Sequence, residues 1–214
     1  SHPIDESAAD LFRRTCKLHR VAPQIPFPID AAIAGLGLTL AWVDMQTMLP
    51  TVKSLAFLCV PMKTILVNEE LHPNAAPNMC GRLRFTLAHE LGHWCCHQGE
   101  KDVASGWWRR DVDREAAREK EANRFAGALL IPTDHLREHW HREFGAGPIT
   151  HKDLAPRRGQ LIRQEIDRRK FQPSGEDAED KLMFEGAISQ LAAKFEVSPQ
   201  ALRIRAEQLG LIIR

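Results

Sequence analysis

No other stretch narrows the fold and chemistry of this chain as far as Phe85-Thr86-Leu87-Ala88-His89-Glu90-Leu91-Gly92-His93, which places H-E-x-x-H inside a helix-periodic run. On a helix, side chains four positions apart lie one above the other with Cβ atoms about 5–6 Å apart, so His89 and His93 can both reach one metal ion at about 2.0–2.1 Å. Glu90 sits beside that pair, where its carboxylate can meet water rather than the metal, the general-base position of zinc proteases that carry this motif. Leu87, Leu91 and Trp94 follow i, i+4, i+7 and give the same helix an apolar stripe. Gly92 costs a helix about 1 kcal/mol relative to Ala, which points to a close backbone approach by another element.

Two histidines need a third ligand, and the spacing of a second segment supplies one. Residues 119–132 predict an amphipathic helix with Ala122, Phe125, Ala126, Leu129 and Leu130 on its buried side and Pro132 as its stop. Glu119 and Asn123 are four apart and share a face with Ala122 and Ala126. Glu121 lies about 200° around the helix from Glu119 and is expected to be solvated. His89, His93 and Glu119 would leave a fourth tetrahedral position for water, which marks a catalytic rather than a structural zinc. Asn123 is then placed to hold a ligand ring in its productive orientation.

Residues 84–93, R-F-T-L-A-H-E-L-G-H, followed by 119–132, E-x-x-A-N-x-F-A-x-x-L-L-x-P, resemble the ImmA/IrrE family of metallopeptidase-like proteins. The resemblance covers roughly residues 5–132 and, more weakly, 182–213. It implies His89, His93 and Glu119 as Zn²⁺ ligands and Glu90 as catalytic base. It also implies a protein substrate, a helix-turn-helix transcriptional repressor whose cleavage relieves repression in a stress or mobile-element response. His97 falls where similar proteins often have a histidine, but a cation at a helix C-terminus suits the helix dipole, and a capping or packing role is the expectation.

The wider composition fits an ordinary globular protein, with 43% hydrophobic and 27% charged residues. A formal net charge of +1 gives no global electrostatic reason to bind nucleic acid. The five cysteines, Cys16, Cys59, Cys80, Cys95 and Cys96, form no C-x-x-C pair and read as reduced thiols. Adjacent helical residues point about 100° apart, so Cys95 and Cys96 are not expected to be metal ligands. There is no signal-peptide pattern, and the longest apolar stretch, near residues 55–62, is too short to span a bilayer. A cytoplasmic protein with no membrane partner is expected.

In chain order, residues 5–19 predict a first helix and residues 29–36 a short second one, ended by Gly35 and Gly37. Strand-like runs follow at 38–43, 54–60 and 64–68, with Pro61-Met62-Lys63 as a hairpin turn. Such a sheet ahead of an H-E-x-x-H helix is similar to the zincin arrangement, in which an edge strand holds an extended substrate. Trp107 and Trp108, between the two metal helices, are expected to pin a loop. A third helix spans 133–144 and is closed by Gly145 and Gly147, with His135, His139 and His141 expected at the surface. Residues 149–180 are rich in charge and read as an insertion or linker with a solvated basic face.

Residues 191–205 predict helix, turn and helix, with Ser198 as N-cap and Pro199 in the first helical turn. Arg203 and Arg205 would read DNA if this were a DNA-binding motif, but a packed helical pair is favoured. The expected class is therefore α+β, with a zincin-like core over 1–148, a charged stretch over 149–180 and a helix-turn-helix-like subdomain over 181–214. The expected activity is that of a zinc-dependent intracellular endopeptidase. Its rivals are a DNA-binding regulator and a zincin scaffold that binds a partner without cutting it, and the oligomeric state is left open.

Overall fold

Helix α1 (Pro3–Leu18) starts on a proline in its first turn, where a missing N–H costs nothing, and His2 Nδ1 accepts from the Ile4 N–H at 3.3 Å. Its buried face is Ala8, Leu11, Phe12, Thr15 and Cys16. Phe12 stacks on Phe27 with ring centroids 5.2 Å apart. The structure, a computed structural model, describes residues 2–19, 24–48, 55–74, 80–97, 112–169 and 173–213, without the side chains of 48 and 112–115. Among these residues no helix is long and apolar enough to cross a membrane.

The chain divides into two compact units, Ser1–Leu130 and Ile131–Arg214. In the first, α2 (Ile29–Gly35) leads into β1 (Thr39–Val43), the one-turn helix α3 (Met45–Met48), β2 (Ala56–Cys59) and β3 (Thr64–Asn68). The strand order is β1-β3-β2, with β1 parallel to β3 and β2 antiparallel to it. The tight β2–β3 connection has Lys63 at φ 50°, its N–H donating to Val60 O at 3.1 Å. Three short strands at the expected places confirm the mixed α+β class.

Helices α4 (Cys80–His97) and α5 (Val112–Leu130) complete this unit. Leu87, Ala88 and Leu91 of α4 are buried, as are Ala122, Phe125, Ala126 and Leu129 of α5, whereas Trp94 is only half-buried. Gly92 is where the two helices meet: a Cβ there would lie 3.0 Å from Ala122 Cα and 3.1 Å from Ala122 O. Only a residue without a side chain allows that approach. Asp5 of α1 clamps α5 through Arg124, whose Nε and Nη2 donate to its two carboxylate oxygens at 2.8 and 3.1 Å. Helix α5 begins at Val112, seven residues earlier than its apolar pattern suggests, because the sequence of 112–118 carries no periodic apolar signal.

The second unit holds α6 (Thr133–Phe144), β4 (Ile149–Thr150), α7 (His151–Leu154), α8 (Arg158–Arg169), α9 (Glu176–Ala187), α10 (Ser189–Lys194), α11 (Pro199–Gln208) and β5 (Ile212–Ile213). Strand β4 runs parallel to β5. Trp140, Phe184, Phe195 and Leu202 are completely or almost completely buried. His139 is half-buried rather than at the surface, its ring edge-on to Phe195 at 5.8 Å.

Residues 149–169 and 173–180, read as part of a charged insertion or linker, are largely helical. Thr150 and Asp153 form a capping box, and α8 packs on α9 so closely that a Cβ on Gly186 would lie 2.8 Å from Leu161 O. The charges of α8 divide: Arg163, Asp167 and Arg168 are exposed as a solvated face requires, but Glu165 is 1% exposed and Arg169 Nε donates to it at 3.1 Å. Arg169 also pairs with Glu185, and Arg203 Nε donates to the other oxygen of Glu185 at 2.7 Å. Ser198 caps α11 by accepting from Ala201 N–H at 3.1 Å, with Pro199 in its first turn. Arg205 donates to Thr133 Oγ1 at 3.1 Å, so both arginines set aside for DNA contact are buried inside this unit.

Candidate metal centre

Four side chains of α4 and α5 converge because both helices present their four-residue spacing to the same place. His89 and His93 lie on one face of α4, and their Nε2 atoms are 3.0 Å apart. From α5, Glu119 sets one carboxylate oxygen 3.3 Å from His89 Nε2 and the other 3.2 Å from His93 Nε2. One turn further along α5, Asn123 Oδ1 accepts from His89 Nδ1–H at 3.1 Å. The helical phase that sets Glu119 and Asn123 on the face of Ala122 and Ala126 is thus the phase of the fold.

The donor set fits a small divalent cation. Ligands at about 2.0–2.1 Å from a tetrahedral ion are separated by about 3.3 Å; here the two Nε2 atoms are 3.0 Å apart, each has its own Glu119 oxygen at 3.2–3.3 Å, and one ligand atom from each of the three residues lies within 4.8 Å of the others. Two neutral imidazoles and a carboxylate are borderline-soft N and O donors, the combination such an ion prefers. Among the described residues, His89, His93 and Glu119 are the group of metal-ligating side chains close enough to share one ion.

Burial and charge adjust each group. Burial by itself pushes the His89 imidazole down, but the hydrogen bond to Glu119 and the charges of Glu90 and Glu119 outweigh it, so its affinity for a proton is above the ordinary histidine value. The hydrogen bonds from His89 and His93 hold the Glu119 carboxyl far below the usual carboxylate range. Glu90 is 7% exposed, and this burial pushes its carboxyl up despite the two histidines beside it. The backbone amide of Leu58 also faces the Glu90 carboxylate and favours its charged form.

That amide belongs to the edge of β2 that faces away from β3. The Asn68 N–H donates to Leu55 O at 2.9 Å, so in the antiparallel ladder residues 55, 57 and 59 turn their peptide groups to β3 while 56 and 58 turn theirs away. Strand β2 therefore presents Leu58 to the centre from an edge position, packed beside α4.

Sequence reasoning missed a second pair. His97, in the last turn of α4, is 2% exposed; its Nδ1 is 3.1 Å from His93 Nδ1 and its Nε2 is 2.9 Å from Glu121 Oε2. Glu121, expected to be solvated, is half-exposed yet engages His97. The available signal was the third histidine at a further interval of four, opposite two glutamates on α5. Cys95 and Cys96 do not join the ligand group. Trp107 and Trp108 lie outside the described residues.

Comparison with known proteins adds one finding. Residues 44–146 match the family Peptidase_M78, described as the IrrE N-terminal-like domain, and the match contains all the residues of the centre. No curated protein matches the chain.

Proposed function

Residues 44–146 belong to the IrrE N-terminal-like metallopeptidase family, and from that premise we propose that the chain is a zinc-dependent endopeptidase acting inside the cell on a protein substrate. The observation that carries this is the convergence of His89, His93 and Glu119 with Glu90 buried beside them and outside the ligand group. Three protein ligands are the number found in catalytic zinc sites, whereas structural sites use four. A zinc ion held there supplies Lewis acidity, which activates water and polarises a carbonyl.

The remaining chemistry belongs to the chain. Glu90 accepts a proton from the attacking water at its carboxylate and delivers it to the departing amine. Its burial raises its proton affinity above the ordinary carboxylate value, the direction that favours a group which both takes and returns a proton. Asn123, accepting from Nδ1–H of His89, leaves Nε2 of that ring as the nitrogen that can offer a lone pair to a metal in place of its hydrogen bond to Glu119. The outward edge of β2 is the place for an extended substrate to pair with main chain, beside Glu90.

By the family resemblance, the substrate is a helix-turn-helix repressor, and its cleavage relieves repression in a stress or mobile-element response. A DNA-binding role through Arg203 and Arg205 has less support, since Arg203 is spent on Glu185 and Glu207 and Arg205 on Thr133 and Gln208. The test is Glu90→Gln, which keeps size and hydrogen bonding but removes the proton acceptor. Zinc content should persist while cleavage of a repressor encoded by a neighbouring gene, followed on a gel, falls by about 10²-fold or more. Undiminished cleavage would refute the mechanism.

A further inference from the structure

We propose that Glu121 and His97 form a positioning relay that fixes the tautomer and orientation of His93, resting on the assignment of His93 as a metal ligand through Nε2. Glu121, His97 and His93 stand in line, with contacts of 2.9 Å from Oε2 to Nε2 and 3.1 Å from Nδ1 to Nδ1. A carboxylate can only accept, so His97 must carry its proton on Nε2. Its Nδ1 is then an acceptor when the ring is neutral. Two imidazole nitrogens at hydrogen-bond distance need one proton between them, so Nδ1 of His93 must be the donor. With that proton on Nδ1, Nε2 of His93 is the nitrogen that can offer a lone pair to a metal in place of its hydrogen bond to Glu119, and it is the atom that faces His89 and Glu119.

The line has a counterpart across the centre, where Asn123 fixes the other ring. There a single amide oxygen accepts from His89 Nδ1–H. On the His93 side the ring's Nδ1 meets His97 instead, and His97 in turn reaches α5 through Glu121. His97 is almost fully enclosed while Glu121 is half-exposed, so a buried imidazole is held between a ligand ring and a carboxylate at the surface. A residue that only capped α4 would need neither the ring on ring contact nor an acceptor on the neighbouring helix.

The probe is zinc itself, measured on the full chain by competition with a chromophoric chelator, together with ¹⁵N imidazole spectra of the zinc-loaded protein. Outer partners of metal-bound histidines contribute about 10–100-fold in affinity, and His97→Phe should lose an amount in that range. Glu121→Ala, a change at a half-exposed position, should lose about 10-fold. His97→Asn, whose amide oxygen can take the place of Nδ1, should recover part of the loss seen with Phe. In the wild-type spectrum His97 should be the neutral Nε2–H tautomer.

Wild-type zinc affinity in Glu121→Ala and in His97→Phe would overturn the relay, as would a proton on Nδ1 of His97. If His97→Phe fails to fold, Glu121→Ala and the spectrum decide. A wild-type protein that binds no zinc would sink the metal centre and the relay together, whereas normal zinc binding with unaffected variants would sink the relay alone.

Discussion

Glu119 and Glu121 are two residues apart on one helix and serve different partners, the first facing His89 and His93 and the second facing His97. Glu119→Ala should therefore lower zinc affinity far more than Glu121→Ala, as read by chelator competition; the reverse order would mean that the assignment of ligand and relay is inverted. The thiols give a pH test of burial. Burial, with Cys96 alongside, pushes the Cys95 thiol up to about 12, while Cys80 is exposed. Only the thiolate reacts, and its fraction rises tenfold per pH unit below the pKa, so at pH 8 Cys95 is about 10⁻⁴ thiolate. Mass-spectrometric mapping after brief alkylation should find Cys80 labelled and Cys95 unlabelled, and rapid labelling of Cys95 in folded protein would contradict its burial. His89, His93, Glu119 and Asn123 were legible in the sequence because four-residue spacing fixes direction on each helix. His97 and Glu121 were not, because periodicity gives the direction of a Cβ and not the reach of a glutamate to an imidazole on a neighbouring helix.

Between elements, the centre depends on how near α4 lies to α5, and Gly92 sets that distance. In an exposed helix interior Gly→Ala would add about 1 kcal/mol of helix stability. Here the new methyl would meet the backbone of Ala122 at 3.0–3.1 Å and Phe125 Cβ at 3.2 Å, and backbone cannot turn aside as a flexible side chain can. Gly92→Ala should lower both the unfolding midpoint and the zinc affinity, since Glu119 is three residues before Ala122 on the displaced helix. A more stable variant with unchanged affinity would show that the helices do not meet at this point. The glycine in the motif announced this contact, and the strands were legible from their β-branched and aromatic runs. The start of α5 was not, because its first turns are polar and leave no apolar period to detect.

At the scale of the whole molecule, the two units have different cores, and the charged stretch read as an insertion or linker belongs to the second. A run of arginines and glutamates looks solvated in sequence, yet Arg169 pairs with both Glu165 and Glu185 and Arg203 pairs with Glu185, the two glutamates and Arg203 being buried, a long-range pairing that no local pattern records. Removing one member of a buried pair costs about 3–5 kcal/mol, because the other charge is left without compensation. Glu185→Ala, which strands both Arg169 and Arg203, should lower the stability of the second unit by about that amount in a denaturant titration while zinc affinity stays at the wild-type value. Loss of zinc binding with it would mean that the centre depends on residues beyond α4 and α5. The most direct test of the account is the zinc content of the purified chain beside that of the His89→Ala, His93→Ala double variant, measured by elemental analysis after dialysis. The account predicts about one zinc per chain in the first and none in the second; a full equivalent of zinc retained by the double variant would contradict it.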